Sequence, residues 1–427
     1  MGARKFNWSS NRTISRKLNL EISMIAKYLA FIFIIISFLI SSKGYVLMIS
    51  FDGFRYDYTQ YVSTPNFDSI EAKGVKAKSL IPVFPSLTFP NHYSIATGSY
   101  SGNHNIIANH FYDKFLDLRY SMYDSESVSN GNFYSSEPIW VTAERNSYKS
   151  ATFFWIGSEA EINGYRPSIY KKYNPNVTYT ARVDSVFKWL SLDFEERPSL
   201  VMLYFNEPDR SGHIYGSSHS NTFSMVTKMD SILGYIEKNI SKLDIKDSLD
   251  VIIVSDHGMV DVSVDKTILI DNYIELDRAD NVNGGGALML INSDNSQLIN
   301  QFYLSLKKVK NLSVYKRDNI PEKYNYLGRS TPDILLLADE GWFITTEKDF
   351  LNKKKKPLGM HGYDSIHKSM HGIFYAYGPS FKDGYIIDSF ENIHIYPIIC
   401  EILNINPYIK SDGEHDWKNH IKDSVLK

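Results

Sequence analysis

Along most of the chain, short unbroken apolar runs alternate with longer stretches in which apolar residues recur every three or four positions. Residues 45–51, 200–205 and 251–255 are such runs. Each stops abruptly at a polar cluster: Asp52-Gly53, Glu207-Pro208-Asp209 and Asp256-His257-Gly258. A run this short and this apolar suits a strand buried on both faces, because successive side chains point to opposite sides of the sheet. Residues 179–192 and 220–240 carry the helical period and predict amphipathic helices between the strands. Strands alternating with helices predict an α/β fold with a parallel sheet, whose ligands gather beyond the carboxyl ends of the strands. The three polar clusters therefore fall where a site is expected. No repeat or low-complexity segment interrupts the pattern, and no second domain stands out.

One apolar stretch departs from this grammar. Residues 28–40 are almost wholly apolar and follow Arg4, Lys5, Arg12, Arg16, Lys17 and Lys27. The run is short for a membrane span of about 20 residues and right for a signal-peptide core. Its long basic flank favours a cytoplasmic N-terminus, as in a type II anchor with the remainder of the chain outside. The small residues Ser41, Ser42 and Gly44 equally offer a cleavage point that would release a secreted protein. The chain is expected to divide into a basic segment (1–27), a signal-anchor or signal-peptide segment (28–42), a catalytic domain (44–410) and a polar C-terminal tail (411–427). Asn-x-Ser/Thr sequons at Asn176, Asn239 and Asn311 fit an exported glycoprotein. Cys400 is the single cysteine, so no intramolecular disulfide forms, and its apolar neighbours predict a buried small hydrophobe.

A formal net charge of -2 leaves little counterion release with which to hold a long phosphate backbone, so no stable nucleic acid partner is expected. The lysine run 353–356 before Pro357 reads as a solvated loop. Aromatic residues reach 14% of the chain, enough to supply stacking surfaces as well as core packing.

Candidate chemistry lies at the strand ends. Asp209 and His213 are one helical turn apart, so on a helix both side chains share a face and can bind one cation. Asp256 and His257 add a second carboxylate and imidazole, Asp52 a third acid, and His361 in His361-Gly-Tyr-Asp364 a third imidazole. Such a set can hold two divalent ions about 4 Å apart for an in-line displacement at phosphorus. In Pro85-Ser-Leu-Thr-Phe-Pro-Asn-His92 a proline-rich turn runs into a helical stretch. Thr88 there is either a simple helix cap or a nucleophile favoured by the helix N-terminus.

These segments, in this order, closely resemble the nucleotide pyrophosphatase/phosphodiesterase family of the alkaline-phosphatase superfamily. The resemblance rests on Phe51-Asp-Gly-Phe-Arg55, Phe84-Pro-Ser-Leu-Thr-Phe-Pro-Asn-His92, residues 102–109, Glu207-Pro-Asp209 with Ser211-Gly-His213, Ser255-Asp-His-Gly-Met259 and His361-Gly-Tyr-Asp364. It implies an alkaline-phosphatase-like three-layer sandwich, with a central, mostly parallel sheet flanked by helices, in a short form that has only the catalytic domain. It also implies two zinc ions, one held by Asp209, His213 and His361, the other by Asp52, Asp256, His257 and the Thr88 oxygen. His361 is chosen over His367 and His371 for its His-Gly-Tyr-Asp context.

By the same resemblance Thr88 attacks phosphorus to form a covalent intermediate that water hydrolyses, releasing a nucleoside monophosphate. Asn109 faces a non-bridging phosphate oxygen, and Phe89 and Tyr173 sandwich the base. The expected partners are nucleotide or dinucleotide substrates and, if the leader is uncleaved, a membrane. A choline-headgroup lipid phosphodiesterase is the alternative enzyme, a phosphomonoesterase is disfavoured, and an inactive surface adhesion module is the alternative outside enzymology.

Overall fold

The computed structural model describes residues 24, 25, 27, 28, 44–352, 357–408, 411–414 and 421–427. The expected basic and apolar leader lies almost wholly outside the described residues, as does the lysine run 353–356. Among the described residues no helix is long and apolar enough to cross a membrane. The chain divides into Met1–Gly44 and Tyr45–Lys427, and the second unit carries the fold that follows.

Its centre is an eight-stranded sheet built from β1 (Tyr45–Phe51), β2 (Val75–Ala77), β3 (Ser150–Phe153), β4 (Ile169–Lys171), β5 (Leu200–Phe205), β6 (Leu249–Val254), β7 (Phe374–Tyr377) and β8 (Tyr385–Ile387). The spatial order is β8-β2-β7-β6-β1-β5-β3-β4. Every neighbouring pair is parallel except those made by β7, which runs antiparallel to both β6 and β2. The predicted strand 45–51 is β1 and 200–205 is β5, while 251–255 begins two residues earlier, at Leu249.

Both faces of the sheet are covered, which is why these strands read as continuous apolar runs. Val46, Met48, Leu200, Met202, Ile252 and Val254 face one core, shared with helices α1 (Thr88–Thr97) and, near the chain end, Ile395–Leu403. Leu47, Ile49, Val201, Leu203, Val251 and Ile253 face the other, shared with α2 (Tyr179–Leu190) and α4 (Ser220–Ile240). Helix α3 (Asp209–Tyr215) lies between these two in the chain. The two alternating sets are the period-two signature of a strand with helices on either side. A smaller four-stranded sheet (Asn281–Gly285, Leu288–Asn292, Leu312–Lys316, Ile334–Ala338) is wholly antiparallel and packs its own core.

The stretch expected to be a polar tail is part of the packing. Ile421, Val425 and Leu426 are buried in the first core, and the Gly413 amide donates to the Gly98 carbonyl at 2.7 Å. Three apolar residues scattered in a polar stretch are too sparse a signal to read as core, and only their contacts reveal it.

Candidate active site

The three central strands β6, β1 and β5 lie side by side and in register, with Ser50 opposite both Val254 and Tyr204. Their carboxyl ends therefore stop at one level and deliver Asp256-His257, Asp52 and Asp209 together. Gly53 follows Asp52 with φ +66°, and a Cβ there would stand 2.7 Å from Asp209 Cβ. Only glycine lets the two strand ends approach so closely. The approach is sealed by the Asp209 amide donating to the Asp52 carbonyl at 2.9 Å and the Gly53 amide donating to Asp256 Oδ1 at 3.1 Å.

Helix α1 begins at Thr88 itself; Leu87 occupies the cap position and no side chain caps it. Thr88 is therefore not a cap residue. Its Oγ1 lies 3.2 Å from His257 Nε2, at a helix N-terminus whose first-turn amides favour an anion. Asn91 fixes the preceding loop: its Oδ1 accepts from the Val83 amide (2.8 Å) and its Nδ2 donates to the Pro85 and Leu87 carbonyls (2.9 Å each). His361 arrives from a two-residue strand, Gly359–Met360, paired with Val260–Asp261. His367 and His371 stand elsewhere: His371 bonds Ser79 and Ser365, and His367 lies near Glu340.

The ring nitrogens are oriented by one device repeated three times. Nδ1 of His213, His257 and His361 donates to the carbonyls of Gly359 (2.9 Å), Gly258 (2.8 Å) and Ser86 (2.8 Å). Each Nε2 is thereby left with its lone pair, the arrangement expected of a metal-ligating imidazole. His213 Nε2 and His361 Nε2 face each other at 3.1 Å, and Asp209 Oδ1 is 3.5 Å from both. Two imidazole nitrogens on one tetrahedral zinc stand about 3.3 Å apart, so this triangle fits the face of one ion. His257 Nε2 lies 3.1 Å from Asp256 Oδ2 and 3.5 Å from Asp52 Oδ1.

Asp52 Oδ1, Asp209 Oδ1 and Asp256 Oδ2 are buried oxygens without a hydrogen-bond donor. Clustered lone pairs on buried carboxylates and imidazoles are unfavourable unless a cation or a proton lies among them. The donor set therefore fits a metal. Two candidate groups emerge, Asp209-His257-His361 and Asp52-Asp256-His257. His257 belongs to both because its ring stacks on that of His361, centroids 3.6 Å apart.

Protonation preferences express the same crowding. Burial, reinforced by the charges of Asp256 and Asp209, raises the Asp52 pKa well above the usual carboxylate range. Burial would raise Asp256 too, but His257 and His92 outweigh it and hold that carboxyl well below its ordinary value. For His257, burial works against the charged form and Asp256 overcomes it, giving a raised pKa. His361 is pushed well below its ordinary value by burial and then by the neighbouring His257 and His213.

Around this centre, Asn109 Oδ1 accepts from the Phe89 amide at 2.9 Å, which turns its Nδ2 outward as a donor. Phe89 is partly buried with its ring against Tyr120, centroids 6.1 Å apart. Tyr173 is 48% exposed, and its ring lies 5.2 Å from Phe154 and 6.4 Å from Tyr204. The acids and imidazoles singled out in the sequence come together, Thr88 reaches them through His257, and Phe89 and Tyr173 pack against different rings, Tyr120 for the one and Phe154 and Tyr204 for the other. Tyr204 was missed: its hydroxyl donates to Asp52 Oδ2 at 2.5 Å. Within an apolar run it reads only as a core aromatic, so no sequence signal marks it.

The family of type I phosphodiesterases/nucleotide pyrophosphatases matches residues 46–364. A venom phosphodiesterase of Crotalus durissus collilineatus is 34% identical over 388 residues, covering 88% of this chain but only 46% of the venom protein. The chain thus spans less than half the length of that relative. Human ectonucleotide pyrophosphatase/phosphodiesterase family member 5 is 34% identical over 366 residues, covering 84% of this chain and 74% of its own length. Among solved structures, an inactive variant of murine ectonucleotide pyrophosphatase/phosphodiesterase 5 in complex with AMP superposes with a TM-score of 0.84 at 30% identity, covering 90% of this chain and all of that one. The sheet with helices on both faces is therefore the alkaline-phosphatase-like sandwich expected from the sequence. With the match running from the first residues of β1 through the His361 segment, the chain belongs to the type I phosphodiesterase/nucleotide pyrophosphatase family.

Proposed function

We propose that the chain is an outward-facing, two-zinc nucleotide pyrophosphatase/phosphodiesterase that works through a covalent threonine intermediate. The observation that carries this reading is the convergence of three donor-less carboxylate oxygens and three oriented Nε2 atoms on the helix N-terminus that presents Thr88. Asp209, His213 and His361 would hold one ion; Asp52, Asp256, His257 and the Thr88 oxygen would hold the other. When bound, the ions supply Lewis acidity that lowers the pKa of the threonine hydroxyl and offsets phosphate charge.

Thr88 Oγ1 loses its proton to solvent water and attacks phosphorus; the bond to the leaving oxygen breaks, and that oxygen keeps the electron pair and takes a proton from water. Water then cleaves the threonine–phosphorus bond and releases a nucleoside monophosphate. Asn109 donates through Nδ2 to a non-bridging oxygen that gains charge in the transition state. Phe89 and Tyr173 bracket the base, a contact that tolerates many bases because each presents a π-face. The AMP complex of the murine relative supports a nucleotide ligand. The venom and ectonucleotidase relatives support an extracellular site, with the apolar leader 28–42 as membrane anchor or cleaved signal.

The deciding assay compares hydrolysis of a dinucleotide with that of glycerophosphocholine by the full chain, with and without a chelator. Nucleotide turnover that is abolished by the chelator and falls at least about a thousandfold in Thr88→Ala is expected. Preference for glycerophosphocholine would move the assignment to a choline-headgroup phosphodiesterase. Undiminished turnover in Thr88→Ala would remove the covalent mechanism.

A further inference from the structure

His92 lies one turn along α1 from Thr88 and is fully enclosed. Its Nδ1 stands 3.0 Å from the Thr88 carbonyl, which can only accept, so this nitrogen carries the hydrogen. The same nitrogen is 3.2 Å from Asp256 Oδ2, a polar contact in which the N–H dipole lies beside the carboxylate while the hydrogen bond itself goes to the Thr88 carbonyl. Its other ring nitrogen, Nε2, pairs with the Ser50 hydroxyl at 2.8 Å, and Ser50 lies on β1 just before the Asp52 turn. The ring cannot turn away. Trp155 and Tyr204 meet it edge-on, with centroids 5.3 Å and 5.2 Å away, and the Trp155 indole N–H donates to the His92 carbonyl.

One side chain thus touches the nucleophile's own carbonyl, a proposed metal-binding carboxylate and the strand that delivers another. We infer that His92 is a positioning residue that sets the spacing between Thr88 and Asp256 through its Nδ1–H. It acts on the enclosed ion site and on Thr88, and it does not touch substrate. A nitrogen donor at that point neutralises part of the charge on Asp256 and keeps its free lone pairs aimed at the cation. Partners of this kind govern metal affinity as well as rate. The inference rests on the proposed two-metal function.

The test uses two amides that differ only in where they place the donor. His92→Asn puts an N–H at the position of Nδ1; His92→Gln puts its amide near Nε2, retaining a partner for Ser50 and losing the Thr88 and Asp256 contacts. Zinc affinity of the metal-free full-length variants is measured by competition with a chromophoric chelator, alongside kcat, KM and thermal midpoint. His92→Gln is expected to lose about 10- to 100-fold in affinity for one of two ions, and a similar factor in kcat with KM little changed. His92→Asn is expected to stay within a few-fold of the parent. Equal losses in both variants, losses that simply follow the thermal midpoint, or a Gln variant that outperforms Asn would overturn the inference. A parent chain that binds no zinc, or whose turnover does not need Thr88, would instead sink the functional proposal beneath it.

Discussion

The two halves of the proposed metal cradle use the same side-chain types in different surroundings. Asp52, Asp256 and His257 are closed off, with side chains 3%, 0% and 0% exposed. Asp209 and His213 are partly open to solvent, at 17% and 31%, with His361 buried behind them at 6%. The enclosed half is held by the sheet: two strand ends, a backbone amide and the Tyr204 hydroxyl aim its carboxylates. The open half is assembled from α3 and a late loop, and its imidazoles lean on the carbonyls of Gly359 and Ser86. Burial turns crowded carboxylates into a pocket that prefers a proton to empty space, whereas solvent relaxes that demand. The enclosed half should therefore bind its ion more tightly and be far less tolerant of change.

The largest expected effect tests that directly. Asp256→Asn should lower kcat/KM by more than about 100-fold, beyond the usual outer-shell loss, and added zinc should not restore it. His213→Ala should lose less and recover substantially in excess zinc, because water can reach the vacated position. Metal per chain and turnover, measured together across a zinc titration, check both; equal responses would break the comparison. A smaller effect is expected from Tyr204→Phe, which strips the donor from Asp52 Oδ2 while keeping the ring. It should cost about 10-fold or more in zinc affinity at the enclosed half and leave the open half unchanged, read by chelator competition.

Protons should separate the halves next. Asp52 and His257 have raised pKa values, so as pH falls both take up protons that an incoming ion must displace. His361 is shifted the other way and stays neutral and ready to bind as the solution is acidified. Zinc affinity of the enclosed half should thus fall about tenfold per pH unit for each proton displaced, and that of the open half more gently. Calorimetry in buffers of different ionisation enthalpy counts those protons; equal proton release from the two steps would remove the distinction. The smallest effect lies outside the cradle. Tyr173→Ala, at a half-exposed ring, should raise KM for a dinucleotide about five- to tenfold with kcat nearly constant, the low end of what stacking on one base contributes.

Much of this was legible in one dimension, and the limits are instructive. The strands β1 and β5 could be bounded to the residue because each is buried on both faces and stops at a polar cluster. The amphipathic stretches 179–192 and 220–240 became α2 and α4 for the matching reason, one apolar stripe each. Residues such as Tyr204, Val425 and Leu426 gave no such pattern. Tyr204 is an aromatic inside an apolar run, and the other two, with Ile421, are sparse apolar residues in a polar stretch. Their roles come from partners 152 residues away, in the case of Tyr204 and Asp52, or from contacts with a distant core.

Hydrophobic periodicity along the chain was sufficient to predict an α/β fold with a buried parallel sheet, and the resemblance of a few short motifs to a known family was what proposed which side chains carry the chemistry, because both are read from each residue and its near neighbours. Which half of the cradle would be dry, which nitrogen of each imidazole would face inward, and that a buried histidine would join Thr88 to Asp256 were decided only in three dimensions. Those properties belong to pairs of atoms brought together by strand register and helix packing. Burial sets their energies, and no single segment of the chain contains it.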